Sequence, residues 1–126
     1  MSEDSVFEEQ FRSKYPKLFK NLRYLEISSG WYDLIHKVST RIEQINQNYS
    51  DDDGIYAAQI KTKFGGLRYY ISFENVVRSD VDQVNAFIAE AESLSYNICE
   101  NCGDYVDPKM TSRYASLCNK CSRKVK

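Results

Sequence analysis

The chain has 126 residues, 42% hydrophobic and 28% charged, with 17 basic against 18 acidic side chains. That length suits one compact domain, or one domain with a small appendage. The net charge of −1 speaks against a protein that coats DNA by charge alone. No stretch approaches the roughly 20 apolar residues of a membrane helix. The acidic start Met1-Ser2-Glu3-Asp4 lacks a signal-peptide pattern, so the cytoplasm is the expected compartment.

Phe7, Phe11, Tyr15, Leu18 and Leu22 recur at helical spacing, and Pro16 interrupts them. This predicts one helix before Pro16 and a short second one starting there, since proline suits a first helical turn. Trp31, Leu34, Ile35, Val38, Ile42 and Ile45 form one apolar stripe over residues 30–47, an amphipathic helix with Ser29 as its N-cap. The polar run Asn46 to Gly54 predicts a loop. Asp51-Asp52-Asp53-Gly54 lacks the ligand spacing and distal Glu of a calcium loop and reads as a solvated acidic turn.

Residues 55–73 read as a β-hairpin. Tyr56, Ala58, Ile60, Thr62 and Phe64 alternate along one strand, and Leu67, Tyr69, Ile71 and Phe73 along the other. Gly65-Gly66 is taken as the two-residue turn, which sets Phe64 opposite Leu67 and Lys63 opposite Arg68. Residues 80–97 predict a last long helix with Val81, Val84, Phe87, Ile88, Ala91 and Leu94 on one face, capped by Ser79 or Asp80. Its stripe is expected to cover the buried face of the hairpin.

The most specific signal follows. Cys99-Glu100-Asn101-Cys102 and Cys118-Asn119-Lys120-Cys121 are two CxxC pairs fifteen residues apart. In a reducing compartment such pairs are metal ligands rather than disulfides. Four thiolates converging at about 2.3 Å make a closed, structural Zn²⁺ site with no open position for catalysis. A knuckle followed by a CxxC at a helix start is a treble-clef arrangement; without that helix it is a ribbon. Residues 99–126 hold six basic and three acidic side chains, but four thiolates and one Zn²⁺ add −2, so the tail falls from +3 to about +1.

The other face of the hairpin carries Gln59, Lys61, Lys63, Arg68, Tyr70 and Ser72. Lys63 facing Arg68 is unfavourable in cross-strand register. The face is either a solvated surface or an anion-binding site, for a phosphate backbone or an acidic protein patch, with Lys61, Lys63, Arg68 and Tyr70 as partner-binding residues. His36, the single histidine, has no catalytic companions in the pattern and reads as a surface residue. Trp31 reads as core.

Three motifs act as a set: Gly30-Trp31-Tyr32-Asp33-Leu34-Ile35, then Lys63-Phe64-Gly65-Gly66-Leu67-Arg68-Tyr69-Tyr70, then Cys99-Glu100-Asn101-Cys102-Gly103 with its later CxxC. Over about residues 28–121 the chain resembles small zinc-binding proteins of bacteriophages and prophages, a family without an assigned activity. The resemblance implies an accessory protein in a bacterial host that binds a host protein, and it transfers no catalytic residue.

The expectation is therefore an α+β fold. Residues 1–98 form helices packed on a β-hairpin, and residues 99–126 form a tightly joined four-cysteine module holding one structural Zn²⁺. The expected function is non-enzymatic binding of a host protein. The alternative is a nucleic-acid-binding zinc protein using Lys109, Arg113, Lys120, Arg123, Lys124 and Lys126.

Overall fold

The structure, a computed structural model, describes residues 3–107 and 116–124. The periodic stretches become helix α1 (Glu3–Lys14), helix α2 (Tyr32–Asn46) and helix α3 (Arg78–Ser95). Strands β1 (Tyr24–Glu26), β2 (Gly54–Lys63) and β3 (Gly66–Glu74) form one sheet in the order β1-β2-β3. Helix α4 (Asn119–Lys124) ends the described chain. The fold is α+β, and none of its described helices is long and apolar enough to cross a membrane.

The core lies between the sheet's inner face and the helices. Leu34, Ile35, Val38 and Ile42 of α2 and Val84 and Ala91 of α3 meet Ile55, Ala57, Ile60, Leu67 and Tyr69. Phe7, Phe11, Tyr15, Leu18 and Phe19 close the other side of α2. Leu94, expected on the buried face of α3, is 47% exposed. The buried position one residue on is Ser95, whose Oγ accepts the Leu67 amide at 2.9 Å and so closes the outer edge of β3.

Three local expectations are corrected. After Pro16 the chain forms turns rather than a second helix. The Arg12 guanidinium donates to the Phe19 and Leu22 carbonyls at 3.2 and 2.9 Å, replacing a helical ladder there. Ser29 does not cap α2: a 3₁₀ turn (Ser29–Trp31) precedes the helix, and the Ser29 hydroxyl donates instead to Asn101 O at 3.1 Å. Nor do Ser79 or Asp80 cap α3, which starts after Val77 without a side-chain cap; Asp80 accepts the Tyr49 hydroxyl at 2.6 Å.

The hairpin is re-registered. The turn is Phe64-Gly65, with φ of 55° and 78°, as a two-residue turn with two positive φ angles requires. Gly66 belongs to β3, where a Cβ would run into the Tyr96 ring. Lys63 therefore pairs with Gly66, and Lys61, not Lys63, stands opposite Arg68. A two-residue shift keeps every side chain on its face. A β-bulge between Ala57 and Gln59 does not: it places Ile55 and Ala57 in the core cluster, while Tyr56, also buried, donates its hydroxyl to the Asp51 carbonyl.

Strand β1 was not anticipated, because three residues show no periodicity. It runs parallel to β2, with Tyr24 beside Gln59 and Glu26 beside Lys61. Where α2 ends, Lys17 Nζ donates to the Asn46, Tyr49 and Ser50 carbonyls, and Asn46 turns its side chain onto β2. Its amide donates to Ile55 O at 2.9 Å, and its carbonyl oxygen accepts the Ile55 amide at 2.8 Å, all fully buried. Asn46→Ala leaves both backbone groups unpaired, at about 1–3 kcal/mol each. Urea unfolding should show a loss of about 2–5 kcal/mol; a loss under about 1 kcal/mol would show that Asn46 is not the clasp between α2 and β2.

Candidate metal centre

A CxxC turn presents two sulfurs only if its backbone is held in place. Ile98 bridges to Tyr105, the Cys99 amide donates to Asp104 O at 2.7 Å, and the Gly103 amide donates to Cys99 O at 2.8 Å. These bonds fold residues 98–105 into a knuckle. The second pair comes from α4, which starts at Asn119 directly after Cys118, and the Cys121 amide donates to Cys118 Sγ at 3.5 Å. A knuckle and a helix-borne CxxC meet the condition for the treble-clef arrangement rather than the ribbon.

The four sulfurs of Cys99, Cys102, Cys118 and Cys121 all lie within 4.8 Å of one another, and Cys102 and Cys118 are 3.6 Å apart. Four thiolates at 2.3 Å from one tetrahedral ion would be about 3.8 Å apart. The cluster therefore has the size of a single-ion site, and all four cysteines are free of disulfides. Its electrostatics also call for a cation. Burial pushes the Cys99 thiol up, but the backbone amides of Cys118, Cys102 and Asn101 outweigh it and draw it down to about 7. At Cys102 the Asp104 amide lowers the value, yet desolvation and neighbouring sulfurs prevail and push it up to about 12. Cys99 therefore ionises more readily than the crowded Cys102.

Asn101 is a supporting residue that the spacing of the cysteines did not reveal. Its Nδ2 donates to Cys121 Sγ at 3.3 Å, the kind of hydrogen bond that orients a ligand and tunes its charge. Its position inside the first CxxC was the available signal. Two more supports lie far away in sequence. The Glu100 amide donates to Ser116 O at 2.8 Å, the Glu100 carboxylate accepts the Ser116 amide, and the Ser116 hydroxyl donates to Gly65 O in the hairpin turn.

The centre has a small core of its own, Cys99, Val106, Cys118 and Cys121 with Leu117 against them, so it leans on the body. The Gly30 amide donates to Glu100 O at 2.8 Å, and the fully buried Trp31 donates its indole N–H to Ile98 O at 2.8 Å. A Cβ on Gly30 would overlap the backbone of Cys99 and Glu100. The Gly30-Trp31 pair, legible in the sequence only as a helix entry and a core residue, is thus the seat of the metal module.

The other candidate residues fall elsewhere. Lys61, Lys63, Arg68 and Tyr70 lie on the sheet's outer face and are not part of the cysteine cluster. Arg68 is ion-paired to Glu92 of α3 at 2.8 Å, so the expected clash with a facing lysine is relieved from outside the hairpin. His36 is half-buried; Lys14 Nζ lies 3.1 Å from its Nε2 and the Tyr15 hydroxyl 3.0 Å from its Nδ1. Lys120 is exposed on α4, whereas Lys109, Arg113 and Lys126 lie outside the described residues.

Because Trp31 is the single tryptophan, its fluorescence reports the junction. The metal-loaded protein should carry one ion per chain by elemental analysis, and chelation should red-shift the emission, with recovery on adding Zn²⁺. An unmoved spectrum after proven metal loss would show that Trp31 packs independently of the centre. Gly30→Ala, which changes no ligand side chain but crowds the backbone of Cys99 and Glu100, should release metal to a chromogenic chelator about tenfold faster or more, the equivalent of ~1.4 kcal/mol; wild-type kinetics would exclude the seat. No protein-family model, curated protein or solved structure matches this chain.

Proposed function

We propose that this protein is a zinc-containing, non-enzymatic binding protein that holds an acidic protein partner on the outer face of its sheet. In this reading it is a phage-type accessory factor that modulates or inhibits a host protein. The ion is one structural Zn²⁺, because four thiolates form a soft, closed donor set. It folds the C-terminal module and, through Ser116 and Gly65, steadies the hairpin turn.

The observation that carries the reading is the make-up of the outer face. Residues paired across strands share a face. Two rows result: Tyr24, Gln59 and Tyr70, then Glu26, Lys61 and Arg68. Tyr24 and Tyr70 are 44% and 42% exposed, and Phe64 at the turn is 53% exposed. Lys61 lies 5.8 Å from the Tyr70 ring and Lys63 5.5 Å from the Phe64 ring, and neither lysine has an ion pair among the described residues. Aromatic side chains are enriched at interface centres, and the lysines beside them fit the charged rim that steers an acidic partner.

A protein partner suits this face better than a nucleic acid. Glu26 stands beside Lys61, and Glu92 holds Arg68. A protein can set acidic groups against the lysines and other groups against Glu26, whereas a phosphate backbone is uniformly negative. The nucleic-acid reading keeps some support from exposed Lys120 on α4.

Lys61→Glu with Lys63→Glu tests the reading in nuclease-treated bacterial lysate. Wild-type bait should retain a protein, and the double variant should retain about tenfold less or lower, equivalent to ~1.4 kcal/mol, at unchanged thermal stability. Equal retention would exclude this face. Loss of wild-type retention on nuclease treatment, with a steep salt dependence, would favour nucleic acid.

A further inference from the structure

The opposite side of the molecule carries a separate groove that none of the outer-face residues helps to form. It has a volume of about 640 Å³ and lies where the start of α2, the end of α3 and the metal knuckle converge. Its floor is apolar, made by Leu34, Leu94 and Ile98. Its rim carries Asp33 from α2 and Asp104 from the knuckle, with Lys37 as the one cation. Leu34, Lys37 and Leu94 also line a narrower cleft of about 80 Å³ along the α2–α3 seam, so the floor continues between the helices.

Two features separate this groove from an ordinary surface dent. Leu94 sits on α3 at a position whose helical spacing places it with the core residues Val84 and Ala91, yet it stays 47% exposed and opens onto the groove. Neither Asp33 nor Asp104 has an ion-pair partner among the described residues. The groove thus offers an unfilled apolar contact between two unneutralised carboxylates. Exposed Cys102 forms part of the wall, so the metal-loaded thiolate cluster, at net −2, adds to the negative potential.

We propose that this groove is a second binding site, for a short peptide segment that carries an aliphatic side chain followed by arginine or lysine. The aliphatic group covers Leu94, Leu34 and Ile98. The cationic group lies between Asp33 and Asp104, where a guanidinium can bond a carboxylate in two-point fashion. An acidic segment would meet both carboxylates and the cluster with like charge. The groove therefore selects a partner segment of opposite charge to the one that suits the outer sheet face.

The test is fluorescence anisotropy on the zinc-loaded protein with two labelled hexapeptides. One carries a leucine followed by two arginines, and the other has glutamates in place of the arginines. The basic peptide should bind at least about tenfold more tightly, a difference of ~1.4 kcal/mol. Asp33→Asn with Asp104→Asn should remove most of that preference, and Leu94→Ser should weaken binding in both backgrounds at unchanged metal content. Asp51→Asn with Asp52→Asn, in the exposed loop, should leave it intact. Equal affinity for the two peptides, absence of binding, or a preference that follows the loop variant instead of the groove variant would each overturn the proposal. Lys61→Glu with Lys63→Glu should not reduce basic-peptide binding, so this site and the outer face fail or stand separately.

Discussion

Trp31 and the glycine before it hold the two parts of this molecule together. The indole ring lies wholly inside the body's core while its N–H reaches the carbonyl of Ile98, one residue before the first metal ligand. Gly30 bonds Glu100 from a distance that excludes any side chain. Among its described residues the metal module has a core of only Cys99, Val106, Cys118 and Cys121 with Leu117 against them. The knuckle offers the Ile98 and Glu100 carbonyls that the seat requires, and a metal ion held by the four cysteines would fix that knuckle in turn.

The same coupling reaches the sheet. Ser116, next to the second CxxC, bonds the Gly65 carbonyl at the turn of the hairpin. Tyr96, three residues before Cys99, covers Gly66 on the adjoining strand. Ser95 satisfies the Leu67 amide on the free edge of β3. An edge strand with unpaired amides invites association with other chains, and α3 occupies one such amide at Leu67. The hairpin turn is thus held by Ser116 and Tyr96, which flank the two CxxC pairs.

Charge is distributed to match. Arg68 is occupied by Glu92, and Lys61 and Lys63 are not engaged in ion pairs among the described residues. The uncommitted carboxylates Asp33 and Asp104 lie at the groove beside the knuckle. A net charge near zero therefore conceals two surfaces of opposite character, which a composition cannot show because composition has no direction.

The sequence by itself determined the class of the fold and which four cysteines come together. Helical periodicity over Trp31 to Ile45 and Val81 to Ala91, alternation in residues 55–73, and two CxxC pairs are local patterns, and each follows from backbone geometry over a few residues. Tertiary structure decided what local pattern leaves degenerate. Phe64-Gly65-Gly66 allows two turns, and the Tyr96 ring over Gly66 sits with the one that makes Phe64-Gly65 the turn. The bulge at Ala58 puts Ile55 and Ala57 in the core cluster, although alternation favoured Tyr56 and Ala58. Three-residue β1 exists because β2 offers it a partner, and Ser29 leaves its helix because Asn101, 72 positions away, offers a better acceptor. Each of these outcomes depends on a contact between residues distant in the chain, and the energy of such a contact is absent from any window of sequence short enough to show a period.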